Sequence, residues 1–297
     1  MSGVLWARLA TLAGMILLGF LARRRYQVGA ASLSALSMDL LLPPFVFLSL
    51  LDVHLDPSEL LHPAFSCVVV ILATIGFLLL LGRFLGRSLT LFIVPIAFMN
   101  SGFLAIPVAD ALGGAVWVSR AVVYDQAMNV VLFTVGLMIL GARVSAGHRI
   151  RLLVLNPVLI SLVLGIAWKM LDLPLPIPLR TILQMPAQAA VPVALIALGA
   201  AVADLRLDRL HGVGWAVAGR FLLGGFFAYL YCALAAPGAA VAKLIFIQSA
   251  MPSAVFSFIL AEKYDVEPDF AAGTVVVSTA IYPLVLPLLL AVAEILF

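Results

Sequence analysis

The sequence predicts an all-α integral membrane protein with ten transmembrane helices, arranged as two inverted five-helix repeats. Three observations lead to this fold class: the composition, the length of the apolar runs, and motifs that recur in both halves. Hydrophobic residues make up 65% of the 297 residues and charged residues only 10%. Soluble domains have about 45–50% apolar and about 25% charged residues. A soluble fold of this length has no interior for so much apolar surface, so we expect lipid as the solvent.

The apolar runs are long enough to cross a bilayer, which takes about 20 residues per helix. They are continuous rather than alternating, which favours helices over the strands of a barrel. The first run is followed by Arg23-Arg24-Arg25 without a small-residue cleavage site, so it is interpreted as a retained helix rather than a signal peptide. The predicted spans are 3–21, 31–51, 64–82, 89–112, 116–141, 152–171, 180–203, 212–236, 240–261 and 271–296.

The positive charges set a predicted orientation. With the N-terminus outside, eleven lysines and arginines fall in the inner loops and five on the outer side. The positive-inside rule then places both termini outside, on the periplasmic side of a cell inner membrane. The net charge of +3 therefore indicates topology, and we expect no nucleic-acid partner. Arg220 lies inside the eighth span, where a role opposite a carboxylate and snorkelling to the surface both remain open.

Motifs recur in the same order in residues 1–145 and 146–297, which are the two predicted repeats. An odd number of helices per repeat reverses the orientation of the second copy, so the repeats are expected to be inverted. The matching pairs are Asp52–Asp56 with Asp204–Asp208, Met99–Phe103 with Met251–Val255, and Arg83–Leu85 with Arg220–Leu222.

The fourth and ninth spans are both interrupted at matching depth. Proline removes a backbone donor, and glycine and asparagine tolerate non-helical angles. Unwound backbone in a bilayer costs several kcal/mol per unsatisfied group unless it lines a cavity or is buried in protein. Half-helices that begin near Phe103 and Ala254 would point their positive ends at one site, which suits a carboxylate. The alternative is two kinked helices with packing roles. The interrupting residues are Pro95, Asn100, Ser101, Gly102 and Pro107 in one span and Gln248, Ser249, Pro252 and Ser253 in the other.

Polar residues inside other spans predict ion coupling. Asp125 lies near mid-depth of the fifth span, beside Gln126 and one helical turn from Asn129. A carboxylate at this depth is costly, so we expect it to take up a proton or help to hold a cation. Asp39 in the second span and Gln248 in the ninth are further candidates for coupling. Alternatively, the two carboxylates are satisfied by helix neighbours.

No motif of an enzyme accompanies these spans. A phosphate-binding glycine loop, a Ser/His/Asp arrangement and a zinc helix motif are absent from the sequence. Cys67 and Cys232 lie in apolar runs without the spacing of metal ligands. We therefore expect no catalytic residue, no metal and no cofactor, apart from a coupling proton or sodium ion.

Several motifs resemble those of the auxin efflux carrier family, which includes the plant auxin exporters. Ala250-Met251-Pro252-Ser253 and the later run Ala261–Asp269 are similar to its C-terminal signature. The similarity covers essentially the whole chain, but only about ten residues join the fifth and sixth spans, as in compact bacterial-type members. Other similar stretches are Asn100–Pro107, Asn156-Pro157, Pro192–Gly199 and Arg220-Phe221-Leu222.

The resemblance implies crossed fourth and ninth helices, as in the bile-acid symporter and sodium/proton antiporter folds. It implies a transport domain of spans three to five and eight to ten, and a scaffold of spans one, two, six and seven that often forms a homodimer. An organic anion would bind at the crossing, and compact members are commonly described as malonate or malate carriers. The expected substrate-binding residues are Asn100, Ser101, Gly102, Asn129, Met251, Pro252 and Ser253.

The resulting hypothesis is a secondary active transporter of a small carboxylate, such as malonate, malate or an auxin-like acid, that works by alternating access. The alternatives are a ligand-binding membrane sensor with the same fold and a channel-like uniporter.

Overall fold

The computed structural model describes residues 2–52, 57–86, 89–140, 154–204 and 212–297, and helices are the only regular secondary structure in these ranges. Two π-helical turns, Ser37–Leu41 and Leu132–Gly136, interrupt the α-helices. The helices are α1 (Ser2–Tyr26), α2 (Ala30–Leu36), α3 (Leu42–Leu51), α4 (Pro57–Phe84), α5 (Thr90–Ala97), α6 (Ala105–Val131), α7 (Leu137–Leu140), α8 (Pro157–Met170), α9 (Ile177–Ala203), α10 (Val213–Ala235), α11 (Ala239–Ser249), α12 (Val255–Lys263) and α13 (Pro268–Leu296).

Six helical stretches in the described part of the chain are long and apolar enough to cross a membrane. Two shorter apolar helices, Pro157–Met170 and Ala239–Ser249, accompany them. This confirms the predicted class, an all-α multi-pass membrane protein. The six stretches are Ala30–Leu51, Leu61–Phe84, Ala105–Leu140, Ile177–Ala203, Val213–Ala235 and Pro268–Leu296.

The predicted fourth and ninth spans are both divided into short helices. The fourth span consists of α5 and the start of α6, and the ninth consists of α11 and α12. Pro95 lies inside α5 and Pro107 lies in the first turn of α6, so both flank the break at 98–104. The prediction that these two prolines interrupt the helix is therefore wrong. In a first helical turn the missing amide of proline had no intrahelical acceptor, so Pro107 is tolerated there.

Gly114 separates the predicted fourth and fifth spans. Its φ of 61° and ψ of −153° are non-helical, although helix continues on both sides from Ala105 to Val131. Residues with a side chain rarely adopt this backbone conformation, whereas glycine does so without steric cost. The chain therefore turns at Gly114, within the gap predicted between residues 112 and 116.

Helices α1 and α9 approach each other backbone to backbone. A Cβ atom on Gly19 would lie 2.1 Å from the carbonyl oxygen of Ile196, and one on Gly199 would lie 1.9 Å from that of Ile16. Small residues allow such close contacts between membrane helices. The first and seventh predicted spans therefore pack closely at this point, and their assignment to a scaffold stays a prediction.

One proposed match between the two halves is wrong. Arg83 is exposed in the last turn of α4, whereas Arg220 is fully buried in the second turn of α10. The two arginines therefore occupy different positions in their helices, and the shared Arg-Phe-Leu letters do not mark equivalent positions. The matched aspartate motifs lie largely outside the described residues, as do the boundary between the predicted repeats and the inner-loop arginines Arg87, Arg143, Arg149, Arg151, Arg206 and Arg209.

Candidate functional site

The two helix breaks meet and pair through their backbones. The amide of Asn100 donates to the carbonyl of Pro252 at 2.7 Å, and the amide of Ala254 donates to the carbonyl of Phe98 at 3.1 Å. Met99 and Ser253 form an isolated antiparallel bridge between these two bonds. Each break therefore supplies hydrogen-bond partners that the other lost when its helix ended, which offsets the cost of unwinding.

A cavity of about 390 Å³ lies beside this crossing. Its walls come from α3, the first break, the middle of α6 and the start of α12, and it extends to the exposed residue Asp52. None of the described lining residues is a lysine or an arginine. The lining residues are Phe45, Ser49, Asp52, Met99, Asn100, Ser101, Gly102, Phe103, Ile106, Val122, Asp125, Gln126, Met128, Asn129, Ala254, Val255 and Phe256.

Asn100, which lines this cavity, has an unused hydrogen-bond donor. Its side-chain Oδ1 accepts a bond of 3.2 Å from the amide of Phe103, which stabilises the turn of the break. Its Nδ2 has no partner among the described residues, although the residue is only 3% exposed. A buried donor without an acceptor is costly, so a ligand oxygen at this position would be favoured.

Asp125 connects the first break to the fifth span. Its Oδ1 accepts a 2.7 Å bond from the hydroxyl of Ser101, and its Oδ2 accepts a 3.1 Å bond from Nδ2 of Asn129. A Cβ atom on Gly102 would lie only 3.0 Å from Oδ1 of Asp125. Each residue of the pattern Asn-Ser-Gly therefore has its own role. Asn100 has an unpartnered donor, Ser101 donates to the carboxylate of Asp125, and Gly102 leaves space for that carboxylate.

The N-terminal end of α12 also faces the cavity. Ala254, Val255 and Phe256 line the wall, and α12 begins at Val255. First-turn amides of a helix lack intrahelical acceptors, and the helix dipole adds partial positive charge at this end. The N-terminus of α12 thus contributes positive potential to the cavity, whereas the described lining residues include no lysine or arginine.

An aromatic group forms the apolar wall of the cavity. The ring of Phe256 lies edge-on to Phe103 at 5.5 Å and to Phe45 at 6.2 Å between centroids. Phe133 lies 6.0 Å from the same ring. Sequence reasoning missed these residues because phenylalanines in apolar runs give no signal that distinguishes a cavity wall from lipid-facing or core positions.

The second break contributes less to the cavity than predicted. Met251, Pro252 and Ser253 are buried but are not among the lining residues. The amide of Ser253 instead donates to the hydroxyl of Ser278 in α13 at 3.1 Å. Their assignment to substrate binding stays a prediction.

The predicted coupling residues occupy three different places. Gln126 lines the cavity beside Asp125. Gln248 is 1% exposed, and neither atom of its amide has a partner in the described ranges. Asp39 lies in the π-helical turn Ser37–Leu41 and pairs with Lys263 at the end of α12. The coupling role of these residues stays a prediction.

Arg220 joins the two interrupted helices from the other side. Its guanidinium is fully buried and donates to the carbonyls of Ile96 in α5 and Ser249 in α11. Both carbonyls lie at helix C-termini, where a cation is favoured by the helix dipole. Neither interpretation from the sequence, a carboxylate partner or snorkelling, describes this contact. The acceptors are backbone atoms of other spans, which residue types along the chain do not reveal.

The fold and this geometry define a class: a multi-pass membrane protein with a polar cavity where two interrupted helices meet. The profile of a family described as "Membrane transport protein" matches residues 142–290, about half of the chain. The chain therefore belongs to this family of transporters, whose auxin efflux carrier members its motifs resemble.

Two relatives accompany this match. A protein of Methanothermobacter thermautotrophicus named "Uncharacterized transporter" is 29% identical over 287 residues, 92% of this chain and 93% of the relative. A protein of Rhizobium meliloti named "Putative malonate transporter" is 30% identical over 135 residues, 43% of this chain and 41% of the relative. The first relative extends the similarity over both halves of the chain.

Proposed function

We propose that this protein is a secondary active transporter that moves a small organic anion across the membrane by alternating access. The observation that carries the proposal is the unpartnered Nδ2 of Asn100, buried at a cavity where two interrupted helices meet. A carboxylate there accepts a bond from Asn100 and lies at the positive end of α12. Discontinuous helices with their termini at a central site are the arrangement that binds anions in several transporter folds.

The proposed architecture is ten spans in two inverted repeats, with residues 1–145 and 146–297 as the halves. Contacts between matching positions support it. The hydroxyl of Ser101 donates to Asp125, 24 residues further along the chain. The backbone amide of Ser253 donates to the hydroxyl of Ser278, 25 residues further along. Spans three to five and eight to ten would move as a transport domain against a scaffold of spans one, two, six and seven. We expect a homodimer through that scaffold and both termini on the periplasmic side of the inner membrane.

The lining favours a monocarboxylate with an apolar body. A dianion needs compensation for its second charge, and the described lining residues include no lysine or arginine. Of the two lining carboxylates, Asp52 already pairs with Arg180, and Asp125 has only neutral hydrogen-bond donors. Phe45, Phe103 and Phe256 instead provide apolar contact for the rest of the molecule. Malonate is the second candidate, because of the name of the Rhizobium meliloti relative.

Asp125 is the proposed coupling residue. Both of its oxygens accept bonds from neutral donors, and the described lining residues include no cationic side chain to balance its charge. A proton or a sodium ion bound at Asp125 would supply that balance when the anion enters. Flux measured with a proton gradient, with a sodium gradient and with neither separates these mechanisms. Dependence on one gradient indicates coupling to that ion, and dependence on neither indicates uniport.

A thermal-shift screen of the purified protein tests the binding site. Mono- and dicarboxylates are compared with and without sodium and at two pH values, since a ligand that binds the folded state raises the melting temperature. We expect the largest rise with an apolar monocarboxylate. Asn100→Ala should remove this rise and leave the unliganded protein folded, whereas Ser119→Ala, away from the cavity on α6, should keep it. An unchanged rise in Asn100→Ala would exclude Asn100 from the site.

Flux into proteoliposomes separates the alternatives. A carrier shows saturable counterflow of the ligand found in the screen. Binding without any flux would indicate the membrane sensor, and flux that rises linearly with concentration would indicate the channel-like uniporter.

A further inference from the structure

One face of the second span continues from the cavity toward the opposite end of the helix. Ser34 and Ser37 are buried on this face, and Ser49 and Asp52 line the cavity. Positions three or four residues apart share a helix face. The face is Ser34, Ser37, Leu41, Phe45, Ser49 and Asp52.

The closed end of this face carries polar groups without partners. Ser34 and Ser37 are both 0% exposed, and neither hydroxyl has a hydrogen-bond partner among the described residues. Helical serines usually bond to a carbonyl one turn back, and a dry, unpaired hydroxyl costs free energy. Helices α9 and α12 contact both α2 and the turn Ser37–Leu41, and α8 contacts the turn. Such unpaired hydroxyls are expected where an interface opens to water or solute in another conformation.

Two contacts join the end of α12 to the second and sixth spans. Lys263 donates to the carboxylate of Asp39, and Nδ2 of Asn156 donates to the hydroxyl of Tyr264 at 3.4 Å. Burial raises the pKa of the Tyr264 hydroxyl, the hydrogen bond with Asn156 lowers it, and the charge of Asp39 raises it.

Both contacts join the proposed transport domain to the proposed scaffold. Lys263 and Tyr264 follow from the ninth span, whereas Asp39 and Asn156 belong to the second and sixth spans. The other ion pairs between described residues lie within one proposed domain. Arg23 with Asp204 is an example in the scaffold, at 2.7 Å.

We propose that the second half of the solute pathway runs along Ser34 and Ser37, between the second span and α12. The pairs Asp39–Lys263 and Asn156–Tyr264 hold it closed while the cavity at Asp52 is open. When these pairs separate, the two serine hydroxyls become donors for the carboxylate of the passing anion. This inference rests on the proposed transport function, but its opening step is measurable without any flux.

Thiol labelling of Ser34→Cys in the full chain, held in nanodiscs, tests this pathway. The native Cys67 and Cys232 are buried, so the unaltered chain serves as the blank. We expect slow reaction of Ser34→Cys with a hydrophilic maleimide. Adding Lys263→Met should accelerate the reaction about five-fold, since losing a partly exposed ion pair shifts a two-state equilibrium by about that factor. The exchange Asp39→Lys with Lys263→Asp should restore slow labelling.

Asp204→Asn is the matched control. It removes the ion pair between Asp204 and Arg23, which lies within the proposed scaffold and does not join it to the transport domain. An unchanged rate in Lys263→Met, or an equal acceleration by Asp204→Asn, would overturn the proposed closure. Failure of the charge exchange to restore slow labelling would do the same. A third outcome is the expected labelling pattern without flux in any variant. This would support the opening of the interface and reject the transport function.

Discussion

The side chain of Asn100 divides its two polar atoms between the fold and the cavity. Oδ1 stabilises the turn through the amide of Phe103, and Nδ2, which has no partner among the described residues, is the donor proposed to bind the ligand. Ser101 and Asn129 hold Asp125 from two sides, so the carboxylate keeps one orientation. At the scale of single residues, binding therefore depends on donors fixed in place before the ligand arrives, which lowers the entropy cost of association.

Gly102→Ala should weaken ligand binding. The added Cβ would lie 3.0 Å from Oδ1 of Asp125, so the carboxylate must shift and its bonds to Ser101 and Asn129 lengthen. Overpacking of this kind costs about 1–3 kcal/mol. Gly76→Ala in α4 is the control, because a Cβ there meets nothing within 4 Å. Titration calorimetry with the ligand compares the two, and equal affinities would contradict the contact between Gly102 and Asp125.

Part of this site was predictable from residue types. Asn100, Ser101, Gly102, Asp125 and Asn129 were identified because polar and helix-breaking residues are costly in lipid. The same reasoning selected Ser253, which bonds to Ser278 and does not line the cavity. The direction in which a polar side chain points depends on how its helix is rotated against its neighbours, and a single sequence does not fix that rotation.

At the scale of elements, the crossing depends on four short helix ends held together. Backbone bonds between Asn100 and Pro252 join the breaks, and Arg220 joins the C-terminal ends of α5 and α11. Gly224, one turn after Arg220, permits this approach, since a Cβ there would lie 2.1 Å from the carbonyl oxygen of Ser249. The sequence predicted the breaks from their helix-breaking residues, but the clamp at Arg220 acts on carbonyls, which every residue has.

Arg220→Met should destabilise the protein strongly. The substitution leaves the carbonyls of Ile96 and Ser249 buried without these donors, at a cost of about 1–3 kcal/mol for each unpaired group. Arg83→Met is the control, because Arg83 is exposed at the end of α4 and surface substitutions stay within about 0.5 kcal/mol. Thermal unfolding in detergent measures both. Equal melting temperatures would show that the clamp contributes nothing to stability.

At the scale of the whole molecule, the second span connects the open and the closed side of the pathway. The half of this span that ends at Asp52 lines the cavity through Phe45, Ser49 and Asp52, and Asp39 in its other half pairs with Lys263. Such an asymmetric arrangement is what one state of an alternating-access cycle requires. Movement between the two states exchanges the open and closed ends, and a ligand biases this exchange only through different affinities for the two states.

Counterflow in proteoliposomes tests the central claim most directly, that an anion held where the two helix breaks meet is carried across the membrane. Vesicles loaded with unlabelled monocarboxylate are placed in a trace of the labelled compound. The account predicts transient, saturable accumulation of label with the unaltered chain and with Ser119→Ala, and its loss in Asn100→Ala. Accumulation of equal size and concentration dependence in Asn100→Ala would contradict the account.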